Sequence, residues 1–355
     1  MKRLLVSMLM AVVLAAGLFA ISDDAKFTYE VLSDAPEKGI PYTENAVKTA
    51  METGTIRFYF MCGDGLIMSK TDGTKWGDST LIVMPDGQTM LIDAGMEQYG
   101  THLVENLRTL GIEKLDYVVV SHNHPDHFGG LVVSGGVFDS IPVGTLIWSG
   151  LNCDAYNKSQ AERWNQGYNR VLAKGTKEVV ATAGYEFSAG DVSFVVLNPT
   201  NESIEAFRSL NTGVMSEKHN SESIALKLTY SDFSAIFCGD MYQDREEEMV
   251  ARYGDVLDVD LVKANHHGKD SSNGEIWGRA TSPRVVACMY GYQMQGTAYG
   301  NYAKFGAYCF MDYLDGYIRV ITDGKTYCNT TVSKKRRTPL FVYYDLQAQQ
   351  IYPQN

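Results

Sequence analysis

From residue 55 onward, short apolar runs rich in β-branched and aromatic side chains alternate with longer stretches of helical spacing. Ile56-Arg57-Phe58-Tyr59-Phe60 alternates and predicts a first strand. Ser79 to Met84 and Thr89 to Ile92 predict a hairpin turned through Pro85-Asp86-Gly87, where proline fixes φ and glycine frees it. Leu103, Leu107 and Leu110 share a helical face over 101–111, and Gly111 closes that helix. Leu115-Asp116-Tyr117-Val118-Val119-Val120 is a continuous run that predicts a strand covered on both faces. Further strands are predicted at 144–149, 178–183, 191–197, 259–264, 284–289, 317–321 and 340–344, with a hairpin from Ser223–Tyr230 to Ser234–Cys238. Helices are predicted at 154–173, 241–252, 273–280 and near 301–313. Strands in two blocks with helices between them predict an α/β fold of two facing sheets flanked by helices.

The N-terminus reads differently. Lys2-Arg3 precede an unbroken apolar run from Leu4 to Ala20, which predicts a signal peptide over 1–20 and a secreted or cell-surface protein. An uncleaved N-terminal anchor is the other reading of the same run. Residues 21–54 are polar with little periodicity and read as an extension or linker, leaving 55–350 as one domain. No later run is long and apolar enough to span a bilayer.

Charge narrows the partners. The formal net charge is −11, which disfavours nonspecific attraction to nucleic acid or an anionic membrane. The basic block Lys334-Lys335-Arg336-Arg337 reads as a solvated turn between strands, with a local basic groove that touches substrate as the alternative. Six cysteines are scattered without a C-x-x-C spacing; Cys238 falls in an apolar strand, and Cys309 with Cys328 is the pair to test for a disulfide.

The histidines are not scattered in that way. Directly after the 115–120 strand comes Ser121-His122-Asn123-His124-Pro125-Asp126-His127-Phe128-Gly129-Gly130. On extended backbone, residues two apart point the same way, so His122 and His124 can close on one ion. Pro125 ends the strand, and Asp126 with His127 can turn toward a second ion. The glycine pair lets the backbone bend tightly around them. A polar turn with satisfied histidines is the bland alternative, but imidazoles and a carboxylate at this spacing form a zinc-type ligand set. A second cluster, Lys263-Ala264-Asn265-His266-His267-Gly268-Lys269-Asp270-Ser271-Ser272, follows another apolar strand. Between the two, Phe237-Cys238-Gly239-Asp240 sets a carboxylate at a strand end, and its two oxygens can bridge two cations.

The pattern His122-x-His124-x-Asp126-His127 resembles the metallo-β-lactamase superfamily, which implies an αββα sandwich of two mixed sheets. One branch is closer. Trp76-Gly77-Asp78-Ser79, Pro85-Asp86-Gly87 with Met90-Leu91-Ile92-Asp93-Ala94-Gly95, Leu197-x-Pro199, Gly239-Asp240 and Leu261-Val262-Lys263-x-x-His266-His267-Gly268 resemble the extracellular hydrolase domain of competence-type DNA-uptake proteins. Order and spacing match from about residue 57 to 325. Stand-alone exported enzymes, including cell-wall phosphorylcholine esterases, are similar to it as well. The resemblance implies a first ion on His122, His124 and Asp240. It implies a second on Asp126, His127, Asp240 and either His266 or His267, with His266 favoured as the nearer to its strand end. Asp93 is expected to accept a hydrogen bond that orients a ligand imidazole, or else to be a plain turn residue. Most two-metal members add a third histidine to the first ion; here Leu197-Asn198-Pro199 stands in its place, and His219 is expected to be exposed. That departure predicts a weakly held first ion. Zinc is the default for both sites, with manganese or iron allowed.

Two such cations can hold a bridging water whose pKa falls toward neutrality, and they neutralise charge on a phosphoryl oxygen. Asp126 and Asp240 would serve catalysis through the ions. Lys269, with Ser271, Ser272 and nearby amides, would bind a phosphate oxygen, unless a serine merely caps the helix that follows. Tyr290, Tyr292, Tyr299, Tyr302, Phe305 and Tyr308 can line a pocket for a sugar, base or quaternary amine, or simply pack. The expectation is an exported metal-dependent hydrolase of phosphodiester bonds, acting on a small-molecule or polymeric phosphoester. A carbonyl ester, lactone or lactam hydrolase on the same scaffold is the first alternative. A surface binding module with a decayed metal site is the second.

Overall fold

The computed structural model describes residues 19–20, 27–31, 44–61, 77–289, 294–315, 317–325, 327–331, 341–345 and 350–354. The leader over 1–18, Trp76, Tyr290, Tyr292, the basic block at 334–337 and the side chain of Cys328 lie outside the described residues. No helix among the described residues is long and apolar enough to cross a membrane.

Two mixed sheets face each other. The first runs, in spatial order, Phe19–Ala20, Phe27–Val31, Tyr327–Thr331, Ile318–Thr322, Ile56–Phe60, Thr80–Val83, Thr89–Ile92, Leu115–Val119, Val143–Trp148 and Lys177–Val180. The second runs Tyr308–Met311, Val285–Cys288, Leu261–Lys263, Phe233–Phe237, Ala225–Tyr230, Val192–Asn198 and Glu186–Ala189. Each sheet joins an antiparallel hairpin region to a parallel half: Thr89–Ile92 onward in the first, Phe233–Phe237 onward in the second. The inner strands of the parallel halves, such as Thr89–Ile92, Leu261–Lys263 and Val285–Cys288, are buried along their whole length, whereas the edge strand Lys177–Val180 is largely exposed.

Side-chain alternation sorts the core into three layers. Phe58, Ile82, Met90, Val119 and Ile147 point inward and meet Phe194, Leu226, Phe237, Leu261 and Val285 of the other sheet. Tyr59, Leu81, Leu91, Val118 and Leu146 point outward onto Leu103, Leu107, Leu131 and Trp164. Ile236, Val262 and Val286 point outward onto Met249, Trp277 and Tyr302. The result is the αββα sandwich expected from the two blocks of strands. The strand ends at 92, 119, 237 and 263 all lie at the carboxyl ends of the parallel halves, the place where loops of α/β sheets gather functional groups.

Several elements differ from the sequence pattern. Residues 46–53, read as part of a polar extension, form a helix that buries Ala46 and Ala50. Glu44, just before it, receives Arg57, Tyr59 and Arg319 from the first sheet. Two helices, Asn201–Arg208 and Thr212–Lys218, stand where the pattern placed none. The helix expected near 301–313 is instead Gly296–Ala303 followed by the edge strand Tyr308–Met311. Cys309, Phe310 and Met311 are buried on both faces, and this uniform apolarity reads equally as strand or helix. Gly129 and Gly130 do not form a bend. They lie in a helix, Pro125–Val132, with Pro125 at its first position, where the missing N–H costs nothing. A Cβ on Gly130 would meet the Ala94 carbonyl oxygen at 2.2 Å, so the pair lets the helix press against the 94–97 loop.

Candidate metal centre

Four loops bring polar side chains to one end of the sandwich. The first follows Ile92, where Asp93 adopts the left-handed region at φ 57° and is buried. Its Oδ1 accepts the Ser121 amide at 2.8 Å, and its Oδ2 accepts the Ser121 hydroxyl at 2.6 Å and faces His127 Nδ1 at 2.8 Å. Asp93 thus orients the histidine loop as well as one imidazole. The second is the histidine loop itself. His122 Nε2 faces His124 Nδ1 at 2.9 Å, and His127 turns in from the first turn of its helix. The third is Gly239-Asp240, where the Asp240 amide donates to Ser223 Oγ at 3.2 Å and Lys263 Nζ donates to the Gly239 carbonyl at 3.0 Å. The fourth is 264–274, and it holds His266 and His267 at φ 44° and 55°. Consecutive left-handed residues other than glycine cost on the order of a kcal/mol each, and such strain gathers at functional sites. They also void the strand rule that predicts where neighbouring side chains point.

Asp240 sits at the middle. Its Oδ1 is 3.2 Å from His127 Nε2, and its Oδ2 is 3.1 Å from His267 Nε2. His267 Nε2 lies 3.3 Å from Asp126 Oδ2, so Asp126, His127, Asp240 and His267 converge. His266 stands back. Its Nε2 is 3.8 Å from Asp240 and 2.9 Å from Lys269 Nζ, its Nδ1 faces Ser271 Oγ at 2.6 Å, and its ring packs on Tyr242. Neither Ser271 nor Ser272 caps the following helix, whose N-cap is Gly274.

The expectation that His219 is exposed does not hold. It is fully buried, with its ring edge-on to His124 at 5.4 Å and to His122 at 6.0 Å. Asn198 accounts for its placement. Its side-chain amide donates to the carbonyls of Ser221 at 3.0 Å and Ser223 at 2.7 Å, tying the segment that carries His219 to the end of strand 192–198. The Leu-Asn-Pro stretch therefore supplies the anchor for a third histidine rather than the histidine. Asp78, which stands in the Trp76-Gly77-Asp78-Ser79 stretch, is also part of the cluster. Asp78, His127, Asp240 and His267 each offer a ligand atom within 4.8 Å of the others. Asp78 Oδ1 meets His267 Nδ1 at 3.0 Å, and its other oxygen pairs with Lys263.

The donor set fits metal ions. His219 Nε2 is buried and makes no hydrogen bond, and Asp240 is buried between the inner nitrogens of His127 and His267. Buried polar atoms left in this way are rare and cost free energy unless something binds them. The charges agree. Asp78, Asp93 and Asp240 are buried, and Lys263 pairs with Asp78 and Asp240. Burial opposes a charged His267, but Asp240 and Asp78 outweigh it and push its pKa up to about 10; His127 is likewise held well above its ordinary value. Burial holds His122 and His219 well below theirs, and His124 lower too, leaving three neutral imidazoles on the opposite side. Asp240 is held well below the usual carboxylate range by His267 and His127 despite its burial. One side of the centre is thus rich in negative charge and the other in neutral nitrogen donors.

The family model of the metallo-β-lactamase superfamily matches residues 76–148. Competence protein ComA of Neisseria gonorrhoeae is 24% identical over 219 residues, which span 60% of this chain and 26% of that protein. The chain therefore covers about a quarter of that relative's length. Among solved structures, the metallo-β-lactamase fold protein YhfI from Bacillus subtilis superposes with a TM-score of 0.43 at 12% identity, covering 73% of this chain and 96% of YhfI. CmlA, a diiron β-hydroxylase from Streptomyces venezuelae, gives a TM-score of 0.39 at 15% identity over 70% of this chain and 45% of CmlA.

Proposed function

We propose that this chain, a metallo-β-lactamase superfamily protein, is an exported metal-dependent hydrolase of phosphodiester bonds. The observation that carries the hydrolase reading is buried Asp240, whose two oxygens meet His127 Nε2 at 3.2 Å and His267 Nε2 at 3.1 Å where four loops come together. His122, His124 and His219 would hold one ion, Asp126, His127 and His267 the other, and Asp240 would be shared. When bound, the two ions would supply an activated water near neutral pH and positive charge for a developing oxyanion. The protein's own part is to fix the donors. Asp93 and Asp78 hold His127 and His267 by their outer nitrogens, and Lys263 clamps both Asp78 and the Gly239 carbonyl.

Phosphate is favoured over a carbonyl substrate by what lines the open side. His266 stands 3.8 Å from Asp240 with Lys269 against its ring, both half-buried, and an ammonium and an imidazole there can take the equatorial oxygens of a phosphoryl group. A carbonyl centre presents a single oxyanion and needs fewer such donors. Zinc suits this nitrogen-rich set, with iron or manganese as the other candidates. The apolar leader supports export, and the acidic chain favours a small or uncharged-surface phosphoester over bulk nucleic acid. The test is metal analysis of the purified protein, followed by a chromogenic phosphodiester, a lactone and a β-lactam offered in parallel, with Asp240→Ala as the blank. Two ions per chain and turnover confined to the phosphodiester is the expected result; preferred turnover of either carbonyl substrate replaces the phosphodiester reading.

A further inference from the structure

Every imidazole assigned to the two ions has an outer nitrogen, and the partners of these nitrogens divide into two kinds. On the Asp240–His267 side each has a carboxylate: Asp93 for His127 at 2.8 Å, with Ser121 Oγ also 3.2 Å away, and Asp78 for His267 at 3.0 Å. On the other side they are hydroxyls. Ser121 Oγ lies 3.2 Å from His122 Nδ1, and the single hydroxyl of Tyr156 serves two rings, 3.3 Å from His124 Nε2 and in hydrogen-bond contact with His219 Nδ1.

We propose that Tyr156 is a positioning residue for the first ion: its phenol oxygen fixes the tautomers of His124 and His219, so that His124 Nδ1 and His219 Nε2 are left as lone-pair donors. This rests on the two-ion reading above. A phenol oxygen has two lone pairs and can accept both outer N–H groups at once. A proton held on the outer nitrogen of a neutral imidazole bares the inner nitrogen. The inner atoms fit: His124 Nδ1 faces His122 Nε2 at 2.9 Å, and His219 Nε2 is buried without a hydrogen bond.

The phenol is not placed by chance. Its ring packs on the separate apolar cluster of Leu151, Ile204, Phe207 and Met215 and stands edge-on to His219 at an interplanar angle of 88°. Its backbone is tied to the histidine loop, since the Tyr156 amide donates to the Cys153 carbonyl at 3.1 Å while the Cys153 thiol donates to Asn123 Oδ1 at 3.3 Å. The helices at 201–208 and 212–218 thus act together with the 149–157 loop to carry both His219 and its orienting partner.

A hydroxyl makes an imidazole less basic than a carboxylate does, so the first ion is the weaker held, and Tyr156→Phe should loosen it alone. The experiment counts ions per chain in the wild-type holoprotein and in Tyr156→Phe while a chelator is raised in steps. The variant should release one ion at roughly 10–100-fold lower chelator concentration, with the release of the other unchanged. Nitrogen-15 spectra of the imidazoles should show the single His219 tautomer of the wild type give way to a mixture. The second ion is the internal control, because general loosening of the fold would shift both. Equal retention of both ions in the variant overturns the proposal, as does an equal loss of both. A wild-type protein that never binds two ions fails differently, striking the two-ion reading itself.

Discussion

His267 Nε2 meets Asp240 Oδ2 at 3.1 Å, whereas the adjacent His266 lies 3.8 Å from the same oxygen and has both ring nitrogens engaged by Ser271 and Lys269. The two histidines therefore have different work. His267→Ala should cost one ion per chain and lower turnover by on the order of a thousandfold. His266→Ala should keep both ions and lose a smaller factor, on the order of ten to a hundred, in the rate alone. Ion counts beside turnover for both variants settle it, and the reverse ranking would return His266 to the ligand set.

Glu246 gives a pH signature away from the reacting atoms. It is buried, accepting Asn265 Nδ2 at 2.7 Å and the amides of Asn273 at 2.6 Å and Gly274 at 2.8 Å, and so holds the 264–274 loop in shape. Burial pushes its pKa up to about 7 despite these bonds. A carboxyl raised on folding is protonated in the folded protein at pH values where the unfolded chain has lost the proton. Its stabilisation is complete below the ordinary carboxyl value and is lost as pH rises through 7, by at most about 1.4 kcal/mol per pH unit. Glu246→Gln cannot ionise. The stability difference between wild type and Glu246→Gln, from denaturant midpoints at pH 5 and pH 8, should change across that window; parallel curves would refute the assignment.

Gly77 is held in the left-handed region at φ 79°, and a Cβ there would fall 1.8 Å from the Asp126 carbonyl oxygen, which accepts the Asp78 amide at 3.0 Å. The clash is with backbone and cannot be relieved by a rotamer. Gly77→Ala should destabilise the protein by about 2 kcal/mol or more in urea unfolding. It should also lower the ion count, because Asp78 and Asp126 move with it.

A structural control lies on the two middle strands of the first sheet, Ile56–Phe60 and Ile318–Thr322. Glu44 accepts Arg57 and Arg319 at 2.7 Å each and the Tyr59 hydroxyl at 2.5 Å. Glu44→Ala would remove the carboxylate that two largely buried guanidinium groups share, at a cost of about 3 kcal/mol. Thermal unfolding should show that loss. Ion content at saturating metal should not change, which separates it from the Gly77 variant.

Much of this centre is legible along the chain because its spacing is local. His122, His124, Asp126 and His127 follow one strand within six residues, and any fold that keeps the strand brings them together. Asp240 and the 266–267 pair each follow a strand of their own, and a strand end limits where such groups can go. The two-sheet architecture was equally accessible, since apolar runs covered on both faces admit few arrangements.

Tertiary structure alone decided the rest. Which of two neighbouring histidines turns inward depends on left-handed backbone at both, and alternation along a strand says nothing about that. His219 belongs to no motif. It is carried to the centre by a pair of helices that the apolar pattern did not announce and by Asn198 reaching across from another strand. Asp78 and Tyr156 likewise acquire their parts only when the 77–78 and 149–157 loops pack over the histidines. Periodicity is set by neighbours in sequence, whereas the partner of an outer imidazole nitrogen is set by packing between segments far apart in the chain.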